Sequence, residues 1–204
     1  MRVRKLAMLL SGLEPHPSKS VELEQYVTDG DLAARWLVDI AAFGDLSDGC
    51  KVADLGAGNG ILGLGALMMG AGRAMLVEAD QDACDAAKSN AESMGFTNSV
   101  EIIQTTLGPN LIDLGSVDVV ISNPPWGRQT LRADRPFLDT LLSSGVPSHL
   151  MHSAEATHIR PLFEDADWSV ERYGEADFAL PVAYSHHSRQ RGRTRAAFWR
   201  LLPP

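Results

Sequence analysis

Apolar and polar positions alternate along this chain with two periods, and the switches between them outline its elements. Lys5 to Leu13 is apolar enough for a short helix, and the breaker-rich EPHPSKS after it reads as loop. From about Asp31 to Phe43 the apolar positions 32, 36, 37, 40 and 43 form one helical stripe, with Asp29 or Asp31 placed to cap it. Lys51 to Leu55 is a short apolar run ending in glycines, and Ile61 to Met69 continues apolar, which predicts strand, tight turn and helix. The alternation then repeats. Strands are predicted over Ala74 to Glu78, Val100 to Thr106 and Val117 to Ser122, with a helix from Gln81 to Met94 closed by Gly95. Gly127 to Pro136 is polar, basic and bounded by breakers, a loop. Phe137 to Ser144 and Glu155 to Asp165 read as helices, and Ser148 to Met151, Trp168 to Gly174 and Arg193 to Leu201 as strands. Strands alternating with helices favour an α/β fold with a mostly parallel sheet covered on both faces.

The chain is organised around KVADLGAGNGILG, from Lys51 to Gly63. Glycines at 56, 58 and 60 remove every Cβ from alternate positions of the turn, so a ligand can approach the backbone N–H groups where the helix begins. Gly58, Gly60 and Gly63 also satisfy the G-x-G-x-x-G spacing of dinucleotide-binding folds, a weak signal alone. Asp54 makes the longer pattern D-x-G-x-G-x-G, that of S-adenosylmethionine (SAM) methyltransferases. Glu78, followed by Ala79, ends the next apolar run where an adenosine ribose needs its hydroxyls accepted.

Composition narrows the setting. At 204 residues and 45% hydrophobic, the chain has the size of one domain with a single core, and residues 1–204 are read as one. The apolar run near the N-terminus is too short to span a bilayer, so an intracellular, cytoplasmic protein is expected. Cys50 and Cys84 lack metal-ligand spacing and read as reduced core residues; no metal site is predicted. The net charge of −8 is uneven: residues 186 to 204 carry five arginines and no acid, leaving −13 on the remainder. An acidic body repels nucleic acid in general, so recruitment would fall to that basic edge, unless its arginines only guard an edge strand against aggregation.

The second informative motif is NPPW at 123 to 126. Consecutive prolines fix φ and keep the preceding residue extended, so the Asn123 side chain and the Pro124 carbonyl leave the strand end as a rigid pair of acceptors, braced by Pro125. Two acceptors suit the two hydrogens of a planar exocyclic amine, and Trp126 offers a face for a heterocycle. Drawing those hydrogens toward acceptors turns the nitrogen lone pair toward an electrophilic methyl group. Rate would come from alignment and electrostatic support rather than from a strong base.

With LEQY followed by Thr28, ADLGAGNGIL at 53 to 62, NAE at 90 to 92, NPPW with ADRPFL downstream, and ALPVAY before a basic run, the chain resembles a known family. It is the methyltransferase-like small-subunit ribosomal RNA adenine-N6 methyltransferases of archaea and eukaryotes, and the resemblance covers most of the length. It implies a Rossmann-like class I SAM-dependent fold: a seven-stranded, mostly parallel sheet flanked by helices, with the last strand antiparallel. It implies adenine-N6 methylation of RNA, with S-adenosylhomocysteine as product, and a small zinc-containing activator subunit covering an apolar surface. VEIIQTT is apolar, and as an edge strand it would be open to pairing with such a partner.

Carried over by position, Gln25 and Thr28 are cofactor contacts within a covering segment, residues 1–45. Asp54, Gly56, Gly58, Asn59, Gly60 and Ile61 form the cradle, Glu78 and Ala79 meet the ribose, and Asn123 touches both cofactor and target. Thr106 stands where the family often has an acid, and Trp126 where it usually has Phe. Arg128, Arg132, Tyr184, His186, His187, Arg189 and Arg191 are the RNA-contacting set, the last five in or beside a basic segment at 185–195. The residues leave other readings open: a protein-glutamine N5 methyltransferase, a nicotinamide-dependent oxidoreductase, or a non-catalytic RNA-binding scaffold.

Overall fold

The computed structural model describes residues 1–15, 28–108, 112–127, 130–179 and 193–204. In chain order the elements are α1 (Val3–Leu10), α2 (Gly30–Ala42), β1 (Lys51–Leu55), α3 (Ile61–Met69), β2 (Arg73–Glu78), α4 (Gln81–Ser93) and β3 (Val100–Gln104). Then follow β4 (Val119–Ser122), α5 (Arg135–Ser144), β5 (Ser148–Ser153), α6 (Ile159–Glu164), β6 (Ser169–Ala179) and β7 (Arg193–Leu202). The strands form one seven-stranded sheet of order β3-β2-β1-β4-β5-β7-β6. β7 runs antiparallel to both neighbours and the other pairings are parallel, as the family resemblance implies.

Strand alternation sorts the core into two layers. Val52, Val119, Ile121 and Met151 face a cluster with Leu6, Trp36, Leu37, Leu64 and Ala87, from α1 to α4. Their neighbours Ala53, Leu55, Val120 and Leu150 face Leu138, Leu141, Ile159 and Phe163, from α5 and α6. Period-two strands thus bury both faces, as a parallel sheet under helices requires. Moving outward from β1 the chain goes to β2 and β3, then returns to β4 on the other side. The crevice between β1 and β4 is therefore the topological switch point, where open α/β sheets bind ligands at the strands' C-terminal ends.

Local chemistry sets the boundaries. Asp29 caps α2 by accepting from Leu32 N–H at 2.8 Å, and Asp80 caps α4 by accepting from Asp82 N–H at 2.8 Å. Both cysteines are buried and free. Among the described residues no helix is long and apolar enough to cross a membrane.

Several boundaries depart from the sequence reading by a few residues, and three of these departures matter for the sheet and the site. α6 begins at Ile159 rather than Glu155, because pairing between β5 and β7 runs on through Ala154 N–H to the Arg195 carbonyl at 2.8 Å. β6 extends to Ala179, drawn out by its long antiparallel ladder with β7, with a register shift between Arg172 and Gly174. β3 stops at Gln104, so Thr106 lies beyond the strand.

Candidate active site

The glycine turn and the Asn-Pro-Pro corner leave adjacent strands at the same edge. Leu55 is the register partner of Ser122, and the Ser122 hydroxyl donates to the Leu55 carbonyl at 2.8 Å, fastening the two strand ends together. Gly56 and Asn123 are the next residue of each.

Within the turn Gly56, Gly58 and Gly60 have φ of 75, 55 and 83°, left-handed values that a Cβ disfavours. Gly56 and Ala57 N–H both donate to the Val77 carbonyl, at 2.9 and 3.0 Å, so the turn lies over the end of β2. Gly63 lets α3 sit on the sheet: a Cβ there would stand 2.3 Å from Leu76 Cδ2. Its N–H donates to Asp54 Oδ2 at 2.9 Å. The other oxygen, Asp54 Oδ1, is buried without a hydrogen-bond partner. Burial pushes the Asp54 carboxyl up to about 7; the Gly63 N–H opposes that rise and the Glu78 charge adds to it.

Glu78 braces the turn. Its Oε2 accepts from Gly58 N–H at 2.8 Å, and its Oε1 accepts from Ala79 and Asp80 N–H at 2.9 and 3.0 Å. Ile61 opens α3 behind the turn. The Asn59 side chain has a structural task that its motif position did not reveal. It donates to the Glu14 carbonyl at 2.9 Å, where Asn90 Nδ2 also donates at 3.0 Å, so α4 and the turn together hold the segment that follows α1. Thr106 is exposed just past β3, while Thr105 N–H donates to the Glu78 carbonyl at 2.9 Å and keeps that strand end beside the acid.

At the corner, Asn123 Nδ2 donates to Thr28 Oγ1 at 3.0 Å, and Asn123 Oδ1 accepts from Trp126 Nε1 at 3.1 Å. An indole N–H only donates, so the atom facing it must be the amide oxygen, and the orientation of Asn123 is fixed. Thr28 therefore touches the acceptor corner itself. Trp126 corrects the expectation of an open stacking face. It is only 6% exposed, packs in the core, and lies stacked on His152 at 6.1 Å between centroids.

Behind Trp126 is a cluster that the motifs did not announce. Asp134 Oδ2 accepts from His152 Nε2 at 3.1 Å and from His158 Nε2 at 2.6 Å. Burial alone would raise the Asp134 carboxyl, but hydrogen bonds and charge from the two histidines outweigh it and hold the group below its ordinary value. In the sequence Asp134 stands inside ADRPFL, a segment of the family resemblance, but nothing in its spacing points to His152 or His158.

Arg132 is exposed with φ of 63° in the loop that joins the corner to α5. Gln25, Arg128, Tyr184, His186, His187, Arg189 and Arg191 lie outside the described residues.

The residues present fit SAM: a Cβ-free cradle at a switch point, an orphaned buried acceptor at Asp54 for a cationic amino-acid end, and a carboxylate at the end of β2. With an acceptor corner on the neighbouring strand, fold and site together define a class I SAM-dependent methyltransferase.

Comparison with known proteins narrows the class. The family model for ribosomal protein L11 methyltransferase (PrmA) matches residues 33–124, from α2 to the first proline of the corner. An uncharacterised protein of Methanocaldococcus jannaschii, MJ0284, is 32% identical over 93% of this chain and 89% of its own. The rRNA N(6)-adenosine-methyltransferase METTL5 of Danio rerio is 28% identical over 100% of both chains. A solved structure, that of PH1948 from Pyrococcus horikoshii, described as a candidate RNA methyltransferase, has a TM-score of 0.86 at 30% identity, covering 100% of this chain and 98% of that one. The chain belongs to the METTL5-like methyltransferase family.

Proposed function

We propose that this protein methylates the exocyclic N6 of an adenine in ribosomal RNA, most simply the small-subunit RNA, using SAM. The observation that carries the reading is the Leu55–Ser122 pairing, which sets cradle and corner side by side so that one reactant can span them. Full-length similarity to a METTL5 named as an rRNA N6-adenosine methyltransferase supports the substrate class.

Asp54, Glu78 and the turn from Gly56 to Gly60 would hold SAM, which supplies an electrophilic methyl group when bound. The chain's own contribution is orientation. Asn123 Oδ1 keeps a second lone pair beside the one given to Trp126, and with the Pro124 carbonyl it offers acceptors for both amine hydrogens of an adenine. Because Thr28 and Trp126 hold the amide from both ends, those acceptors need no reorganisation when the base arrives. An adenine from a helical region must leave its stack to reach the corner. Arg132 and the basic residues 185–195 would meet the RNA backbone, and residues 1–45 would cover the cofactor.

Among the described residues β3 pairs only with β2 and stands at one end of the sheet, with Val100, Ile102 and Ile103 half-buried. That supports a small zinc-containing activator subunit adding itself along this edge.

The test incubates the protein with labelled SAM and undermethylated small-subunit RNA, then maps the modified base by mass spectrometry. N6-methyladenosine at one position is the expected product. Asn123→Ala should lower the rate on the order of a hundredfold or more while SAM binding persists. Methylated glutamine in a protein, hydride transfer, or RNA binding without turnover would each replace this reading.

A further inference from the structure

The Asp134–His152–His158 cluster has the residue types of a metal site, with ligand atoms all within 4.8 Å of one another. Its hydrogen bonding argues otherwise. Ser153 N–H donates to His152 Nδ1 at 2.9 Å, so Nδ1 carries the lone pair and the neutral ring's proton sits on Nε2, aimed at Asp134. A histidine that ligates through Nε2 needs the opposite tautomer, with Nδ1–H donated onward. The cluster is wired as a hydrogen-bonded brace.

What it braces is the substrate side of the site. His152 lies against Trp126, whose Nε1–H fixes Asn123 Oδ1. Asp134 closes the loop that leaves the corner, and it occupies the N-cap position of α5 without capping it: no helix N–H bonds its side chain. An Asp in that place ordinarily stabilises its helix by accepting from the first unpaired N–H groups. Here the carboxylate is turned to the two histidines instead, one on β5 and one in the turn before α6.

We infer that Asp134, His152 and His158 form a positioning device that holds the Trp126 plate, and through it the Asn123 amide, in the orientation needed to receive the methyl acceptor. The inference rests on the proposed function for its catalytic consequence but not for its structural one. Asp134 is a positioning residue, linked to the reacting atoms through His152, Trp126 and Asn123.

Indole 15N–1H spectra separate the two. The chain has four tryptophans, and Trp126→Phe assigns the signal of interest. Asp134→Ala should shift and broaden the Trp126 signal and leave that of Trp36, which donates to Tyr173, in place. His158→Ala should move it in the same direction, and His158→Gln, which restores an N–H donor, should return it. In RNA methylation Asp134→Ala should lower kcat/KM about tenfold or more with SAM affinity retained. A Trp126 signal unmoved in folded Asp134→Ala overturns the inference. If that variant does not fold, an unmoved signal in His158→Ala overturns it equally. Should wild-type protein methylate no RNA while the Trp126 signal still responds, the proposed function falls and the brace stands.

Discussion

Strand β5 carries two histidine–carboxylate networks three residues apart, and they are built to different ends. At its N-terminal end His149 Nε2 meets Asp45 Oδ2 at 2.8 Å and His149 Nδ1 meets the Tyr173 hydroxyl at 3.1 Å. Tyr173 also accepts from Trp36 Nε1 at 2.7 Å, and Asp45 takes a two-pronged grip from Arg200 at 2.7 and 2.9 Å. Each ring nitrogen and hydroxyl there is paired, and Phe43 closes over Arg200 and Tyr173. At the C-terminal end His152 and Asp134 are equally buried, but the chain of contacts runs from Trp126 out to His158, whose side chain is 51% exposed. The first network ties α2 to β5, β6 and β7; by register His149 is level with Asp54, but it lies two strands across the sheet from β1. The second ends at the reactive corner. Identical groups therefore serve cohesion where the circuit is closed and orientation where it opens on the site.

The largest effect should come from cutting the closed circuit. Asp45→Ala leaves the Arg200 guanidinium and the His149 N–H without their acceptor in a largely buried place, and removing one partner of such a pair costs about 3 kcal/mol or more. Urea denaturation reads that loss directly. SAM affinity of the folded fraction should not change, and a large drop in it would mean that the two ends of β5 are not separable.

Next in size is a pH effect confined to the same network. Burial lowers the His149 pKa beneath its ordinary 6.5; the Asp45 hydrogen bond and charge oppose this, and the Arg200 charge reinforces it. The folded state thus prefers the neutral ring, with Nε2–H toward Asp45 and Nδ1 accepting from Tyr173. As pH falls through 6.5 the unfolded chain takes up the proton first, so stability declines from there down to the folded value. The Asp45 carboxyl would be raised by burial but is held below its ordinary 3.8 by Arg200 and His149, so its own contribution is lost only at still lower pH. Between pH 7 and 4 the Asp54 carboxyl, raised to about 7, takes up its proton first in the folded state and pulls stability the other way, so the mark of His149 is a difference: in thermal melts His149→Gln should lose less stability, or gain more, than the unsubstituted protein as pH falls. An identical slope in the two proteins would sever the pH effect from His149.

These two networks also show where the sequence stops speaking. α2, the glycine turn, the strand before it and the helix after it are local: period and breakers, with the Asp29 cap for α2, predict them, and the structure puts them close to the expected boundaries. The meeting of cradle and corner follows from topology, since alternating strands and helices create a switch point. Side-chain circuits have no such local sign. Asp134 reaches its histidines across 18 and 24 positions, and Asp45 reaches His149 and Arg200 across 104 and 155. His149 and His152 look alike in SHLMHS, and only their neighbours in space distinguish them. Trp126 departs from the open face expected of it for the same reason: NPPW says that an aromatic follows the corner, but His152 and the core decide how much of it faces outward. The late start of α6 belongs here too, because residues 155–158 are used to turn the chain out of the ladder between β5 and β7 before a helix can begin.

The smallest stability effect should come from the open end. His158 donates to Asp134 at a short 2.6 Å, yet half of its side chain is in solvent, so water can replace it once the ring is removed. Its loss leaves Asp134 still paired with His152, so no buried charge is stranded. His158→Ala should therefore cost less than about 1 kcal/mol in urea denaturation, the range of exposed pairs. Its mark would lie instead on the Trp126 indole signal and on turnover. Equal stability losses in His158→Ala and Asp45→Ala would erase the distinction between the circuits, since both would then be fasteners of the fold. A small loss beside a displaced Trp126 would separate them by a single exposed side chain, at a position where cohesion and orientation can be measured independently.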